Sequence, residues 1–212
     1  SASISAYLAS KNLPPKQEWL QSFMPTVRPS TPIQALQKTA LFRMLATDIQ
    51  TSVTRSATTC LPTKISNPSV KETKLPGPLT VQLLDIEDIG RSRWSQVEAI
   101  EARERGETTK GREVIRIVPD ENASERNTSE EAKSCGPHKL LLQDAAGTLV
   151  YGFEVNPIAE ISLQMSIGSK LVLRDVTVAR GICLLEPQCV ELLGGKVDTW
   201  DQKRRSEMKE RL

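Results

Sequence analysis

The sequence predicts an α+β fold, helices first and a small β-barrel after. Two shifts of pattern and one interruption carry that prediction. From Ser3 to Val53 the apolar residues recur at helical spacing, and from Leu79 the period drops to two. Between the first strand-like run and the second lies a charged insertion, Asp88–Pro137. Connections of such length without a domain of their own are uncommon, and are usually functional or disordered. The parts divide as a helical bundle over 1–62, a linker over 63–77, a barrel over 78–195 with its insertion at 88–137, and a C-terminal helix over 196–212.

The N-terminal region reads as three short helices. Ser3–Lys11 places Ile4, Tyr7 and Leu8 on one side. After Pro14 and Pro15, the pairs Trp19/Phe23 and Leu20/Met24 fall at i,i+4 spacing until Pro25 stops the segment. Thr31-Pro32-Ile33-Gln34 matches a capping box with Thr31 as N-cap, and Ile33, Leu36, Ala40, Leu41, Met44 and Leu45 follow as an apolar stripe. Each helix alone is marginal in water, so the three must pack together or on a neighbour. Thr54–Gly77, rich in Thr, Ser, Pro and Lys, reads as a connector with Cys60-Leu61-Pro62 as its anchor.

The barrel opens with Leu79–Glu87 (LTVQLLDIE). Beyond the insertion, Lys139–Asp144 and Thr148–Val155 form a hairpin around Asp144-Ala145-Ala146-Gly147. On its second strand Leu149, Tyr151, Phe153 and Val155 make one apolar row, expected to face the core, with Gly152 opposite it to allow sharp coiling. Asn156–Ser166 crosses over, Lys170–Val178 is a fourth strand, and Gly181–Glu186 with Gln188–Leu193 is a kinked fifth. Five strands with a cross-connection between the third and fourth follow the order of an OB-type barrel. Asp198–Leu212 closes the chain as a polar, charged helix.

Composition narrows the function classes. Net charge is only +2, so there is no broad basic field for coating DNA. Aromatics are 4%, few for the stacking platforms of a single-strand binder. Cys60, Cys135, Cys183 and Cys189 fit neither a disulfide framework nor a zinc spacing, and read as reduced thiols. No run approaches the roughly eighteen apolar residues of a membrane span. His138, the sole histidine, has no carboxylate near it in sequence and reads as structural. Asp85, Glu87 and Asp88 are unanswered by a second acidic motif. Catalytic residues, cofactors and metal ligands are therefore not expected.

Within the insertion, Trp94, Val97 and either Ile100 or Glu101 recur at helical spacing over Ser92–Arg105, and Gly106 ends that segment. Trp94 is either an interface anchor or a residue folded back onto the barrel. Val114–Val118 is a short apolar extended run, which adds an edge strand to a partner or pairs within its own sheet. Asp120–Gly136 is poor in apolar residues and reads as disordered.

These parts, in this order, resemble the N-terminal half of the RecQ-mediated genome instability protein 1 family. The resemblance is carried by LPPKQEWLQSF (Leu13–Phe23), LFRMLATDI (Leu41–Ile49), LTVQLLDIEDI (Leu79–Ile89) and KLLLQDAAGTLVYGFEVNPI (Lys139–Ile158). Most distinctive is GSKLVLRDVTVARGICLLEPQCVELLGGKVD (Gly168–Asp198). The resemblance implies a non-enzymatic nuclear scaffold that joins a RecQ-family DNA helicase to topoisomerase III, a type IA enzyme, with DNA contact mostly through the complex and no membrane. It further implies that the insertion meets the topoisomerase gate and favours decatenation and double Holliday junction dissolution. Carried onto this chain, the insertion contacts are Arg91, Arg93, Trp94, Val97, Ile100, Val114, Ile115 and Ile117, and the barrel contacts are Asn156, Pro157, Lys170 and Arg174. Lys170 and Arg174 read equally as a solvated strand edge. The alternative function is a single-stranded nucleic-acid binder using the OB groove.

Overall fold

The computed structural model describes residues 2–28, 31–104 and 136–211; Val114–Val118, and all of Asp120–Gly136 but Gly136, lie outside them. The N-terminal region folds as α1 (Ala2–Ser10), α2 (Gln17–Phe23), α3 (Ile33–Leu45) and the single turn α4 (Ile49–Ser52). Its core is Ile4, Leu8, Leu13, Phe23, Ala40, Met44, Ile49 and Val53. The i,i+4 pair Trp19 and Phe23 stacks with ring centroids 5.4 Å apart. Thr31 does not cap α3. Pro32 holds the N-cap position in extended backbone and offers no side-chain acceptor, which leaves Thr31 one residue outside the helix. Ile33, expected in the stripe, is exposed, as is Phe42 farther along α3.

The rest of the chain comprises β1 (Glu72–Leu75), β2 (Leu79–Asp88), α5 (Arg93–Glu104), β3 (His138–Gln143), β4 (Leu149–Glu154), β5 (Lys170–Leu173), β6 (Val176–Ala179), β7 (Ile182–Leu185), β8 (Val190–Gly194) and α6 (Asp198–Arg211). Among the described residues the strands form one eight-stranded sheet in the order β1-β6-β7-β4-β3-β2-β5-β8. It curls around its own core instead of closing, so β1 and β8 are edges. A register shift between Leu83 and Asp85 separates the half of β2 that pairs with β5 from the half that pairs with β3 alone. The crossing segment after β4 reverses the chain's sense, so β4 and β7 pair in parallel.

Two expected strands are each split. Asp175, at φ 50°, separates β5 from β6, and a 3-10 turn at Pro187–Cys189 separates β7 from β8. The connector is also more than a spacer. Its Glu72–Leu75 pairs with β6 as an edge strand, and its Leu61, Ile65 and Leu75 are buried in the barrel core. That strand gives little sequence signal because only Leu75 of its four residues is buried.

The row on β4 faces the other way from expectation. Val150, Gly152 and Glu154 are buried, while Leu149, Tyr151 and Val155 are 46%, 48% and 44% exposed. The cause is space. A Cβ on Gly152 would come within 2.8 Å of Leu185 Cδ1 and 3.3 Å of Leu142 Cδ1. The interior at that level is already filled by leucines from β3 and β7, so β4 turns its smallest side chain inward.

Bundle and barrel share a joint. Ala145 and Leu193 from the barrel side complete the bundle core. The buried Gln82 amide accepts from Ile49 N–H at 2.9 Å and donates to Asp48 Oδ1 at 3.1 Å. Lys170, fully buried, donates from Nζ to the carbonyls of Leu45 (2.9 Å), Thr47 (2.6 Å) and Gly168 (2.8 Å). Burial lowers its pKa to about 7 from 10.5, against the pull of Asp48. Helix α6 lies on the same sheet: Trp200 packs against the barrel core, Asp201 Oδ1 accepts from Ile167 N–H at 2.9 Å, and Arg204 reaches the Ile86 carbonyl at 2.6 Å.

Candidate partner-binding site at the root of the insertion

The two chain segments that leave and re-enter the barrel are held by buried polar groups. On the outgoing side Asp88 is buried, and its carboxylate accepts from Gly90 N–H at 2.8 Å and from Arg91 Nε at 2.8 Å. Gln96, also buried, donates from Nε2 to the carbonyls of Asp88 (2.9 Å) and Arg91 (3.1 Å), tying the first turns of α5 back to the strand end. Ser92 caps that helix, its Oγ accepting from Ser95 N–H at 3.1 Å.

On the returning side Glu154 does the equivalent work. Its Oε2 lies 2.6 Å from His138 Nδ1 and accepts His138 N–H at 3.0 Å, while Oε1 accepts Ile158 N–H at 2.7 Å. His138 thus has a carboxylate partner that lies sixteen positions away in sequence. The two sides also meet directly. Ile89 N–H donates to Pro137 O at 3.0 Å, and a Cβ on Gly90 would fall 2.3 Å from Gly136 O. Only glycine permits that approach.

From this pinned root α5 carries Trp94 into solvent at 72% exposure. Arg91 and Arg93 are exposed beside it, and Val97 and Ile100 are half-buried. The structure therefore brings five of the insertion contacts onto one short segment. Val114, Ile115 and Ile117 lie outside the described residues. The barrel contacts scatter. Asn156 and Pro157 are exposed where β4 ends. Arg174 pairs with Glu191 at 2.9 Å near the β8 edge. Lys170 is not a surface cation at all: the barrel interior and the end of α3 enclose it.

The acids Asp85, Glu87 and Asp88 each have a cation. Asp85 binds Arg204 and Arg211, Glu87 binds Lys139 at 2.8 Å, and Asp88 binds Arg91. Among the described residues no group of His, Cys, Asp and Glu is placed to hold a metal ion. Burial pushes the Cys183 thiol up to about 12, so it stays protonated at neutral pH. No helix of the described residues is long and apolar enough to cross a membrane.

The sequence does not mark Glu154 or Gln96, and it shows Arg204 and Arg211 only as part of a charged helix face. Of the first two, Glu154 alone left a trace, as the single acid inside the otherwise apolar TLVYGFEV. The arrangement combines a fixed base, an exposed aromatic and flanking guanidiniums.

Comparison with known proteins matches both parts of the chain. Residues 61–208 match the family model described as "RMI1, N-terminal OB-fold domain", and residues 8–52 match "RMI1, N-terminal helical domain". The chain is 28% identical to the RecQ-mediated genome instability protein 1 of Schizosaccharomyces pombe, over 95% of this chain and 90% of that protein. It is 38% identical over 55 residues to the protein of that name in Oryza sativa subsp. japonica, and 36% over 56 residues to that in Arabidopsis thaliana, stretches that are 7% and 9% of those longer proteins. The two matches together cover most of the chain, helical region first and OB-fold domain after, and the chain belongs to the RecQ-mediated genome instability protein 1 family.

Proposed function

We propose that this chain is a non-enzymatic, nuclear scaffold for genome stability, acting with a RecQ-family helicase and topoisomerase III. In this reading α5 and the rest of the insertion contact the topoisomerase gate, and this contact promotes decatenation and double Holliday junction dissolution. Family membership and the relatives' name support the link to a RecQ pathway. The observation that carries the gate contact is Trp94, largely exposed on a helix whose root is fixed by buried polar groups. A large aromatic in water on a braced element fits an interface anchor. A contact that favours the open gate over the closed one shifts the gate equilibrium by that difference in affinity and no more.

The test replaces residues 92–135 with a Gly/Ser linker, leaving Asp88, His138 and Glu154 in place. Topoisomerase III decatenation changes while the chain keeps a folded circular dichroism spectrum and a cooperative unfolding transition. Unchanged decatenation refutes the reading.

A second reading, single-strand binding by the barrel, gains one observation. Tyr151 faces out of β4, with the Lys139 ammonium 5.2 Å from its ring centroid. Its neighbours weigh against it: Ile182 and Leu141 lie beside Tyr151 in the sheet register, and Lys139 is already paired with Glu87. Steeply salt-dependent, nanomolar single-strand binding that is lost in Tyr151→Ala would favour this reading over the scaffold.

A further inference from the structure

Between the end of β2, the start of α5 and the last turns of α6 lies a cavity of about 270 Å³. Its apolar lining includes Ile89, Leu163 and Met208, and its cationic groups include Arg91, Arg93 and Arg211. The volume falls short of the roughly 300–1,000 Å³ that holds a drug-sized ligand, and suits one or two side chains. Ile89 is 45% exposed, although it adjoins buried Asp88 and could have been covered by the helices beside it.

Charge decides the occupant. Three carboxylates also line the cavity, against four guanidiniums, Arg91, Arg93, Arg204 and Arg211. Asp88 is wholly covered and bonded to Arg91, Asp85 is bonded by Arg204 and Arg211, and Glu87 is paired with Lys139. Arg91 and Arg211 are paired as well, but the guanidiniums outnumber the carboxylates by four to three. Arg91 and Arg211 keep 39% and 44% of their side chains in solvent, and Arg93 is exposed. What the cavity shows to a visitor is a ring of guanidinium donors over an apolar floor.

We infer that this cavity is a docking socket for a short acidic segment of a partner protein, which inserts one large apolar side chain between α5 and α6. Carboxylates on either side of that anchor meet Arg91, Arg93 and Arg211, which suit carboxylates by their planar, multiple donors. A basic segment would face the same guanidiniums and be repelled. The socket binds an anchor without using Trp94, so it extends the recognition surface from α5 onto α6. It rests on the reading above only in taking the partner to be a protein.

The test uses the whole chain and a fluorescein-labelled glutamate peptide with one central phenylalanine, followed by fluorescence anisotropy. Saturable binding is expected, weakened about tenfold or more by changing the phenylalanine to alanine, by Arg93→Glu, or by Met208→Asp. Arg93 lies on the surface, so Arg93→Glu keeps the test valid if Met208→Asp disturbs α6. Equal binding of a lysine peptide with the same phenylalanine, or indifference to both substitutions, overturns the proposal. So does binding that appears only after residues 105–135 are replaced by a linker, which assigns the cavity to the chain's own insertion. The two readings fail separately. A chain that binds the peptide while the linker swap leaves decatenation unchanged loses the topoisomerase role alone. A chain whose insertion alters decatenation but which ignores the peptide loses the socket alone.

Discussion

Two polar joints brace this molecule, and they differ in what they leave exposed. At the joint between bundle and barrel, Gln82 bonds Asp48 and the Ile49 N–H while Lys170 donates to three backbone carbonyls, with Lys170 and Gln82 wholly buried. At the root of the insertion, Asp88, Gln96, His138 and Glu154 are buried in the same manner, yet the helix they hold puts Trp94 into water beside an open cavity. The first joint welds two regions together. The second fixes the direction of an element that leaves the Trp94 side chain largely exposed. Buried hydrogen-bonded charge serves stability in one place and presentation in the other, and substitutions separate the two roles.

The largest effect is expected at the weld. Lys170→Met keeps the length of the side chain but removes the donor to three carbonyls, and should cost about 2–5 kcal/mol in denaturant unfolding. Loss of partner binding in such a variant would follow from a loosened joint, since Lys170 offers no surface to a partner. A change below about 0.5 kcal/mol would show that the bundle is not anchored there.

The same lysine gives the protein a pH signature. Its folded pKa, about 7, lies below the 10.5 of the exposed side chain, so between these values the unfolded state binds more protons than the folded state. Stability therefore rises with pH across that window, by up to about 1.4 kcal/mol per pH unit. Below about 7 both states are protonated and the slope vanishes. Cys183 acts in the opposite sense from 9.0 up to about 12, so the clean interval is pH 7 to 9. Unfolding midpoints should climb through that interval in the parent chain and stay level in Lys170→Met. A parent midpoint that falls would contradict the assignment.

At the root a smaller loss is expected. Glu154→Gln replaces one acceptor oxygen with a donor facing His138 and its backbone N–H, or Ile158 N–H, and should cost about 1–3 kcal/mol. Hydrogen exchange at His138 and at the start of β3 should quicken more than at β8. Uniform quickening would mean that Glu154 supports the barrel generally and not the root. Trp94→Ala should change stability least, within about 0.5 kcal/mol, while weakening any effect of the chain on topoisomerase III. A clear loss of stability would place Trp94 inside the fold.

Much of the architecture is legible in the sequence because its signals are local. The i,i+4 apolar pairs of α1 and α2, the alternation in β2 and β3, and the break in pattern at the insertion each need only neighbouring residues. Thr31, which misses the N-cap of α3 by one residue, is a local failure, and the larger ones are non-local. In Leu149–Val155 both faces of the strand carry apolar residues, and the larger row lies outside because Leu142 and Leu185 already occupy the space beside Gly152. The polar segment Glu72–Leu75 becomes a strand only because β6 offers it an edge. Lys170 reads as a surface cation until the end of α3 arrives to cap it with carbonyls. His138 and Glu154 are unremarkable apart and become a clasp only when β3 and β4 align. At the candidate site, the sequence marks Trp94 and its helix but is silent on the cavity, whose far wall is supplied by Met208 and Arg211 in α6.

Hydrogen–deuterium exchange of this chain alone and mixed with topoisomerase III tests the central claim most directly. The amides of Arg93–Glu104 should gain protection on mixing, with Lys170–Leu173 unchanged. Protection confined to the barrel or the bundle, with α5 exchanging as it does alone, would contradict a braced helix held out for a partner.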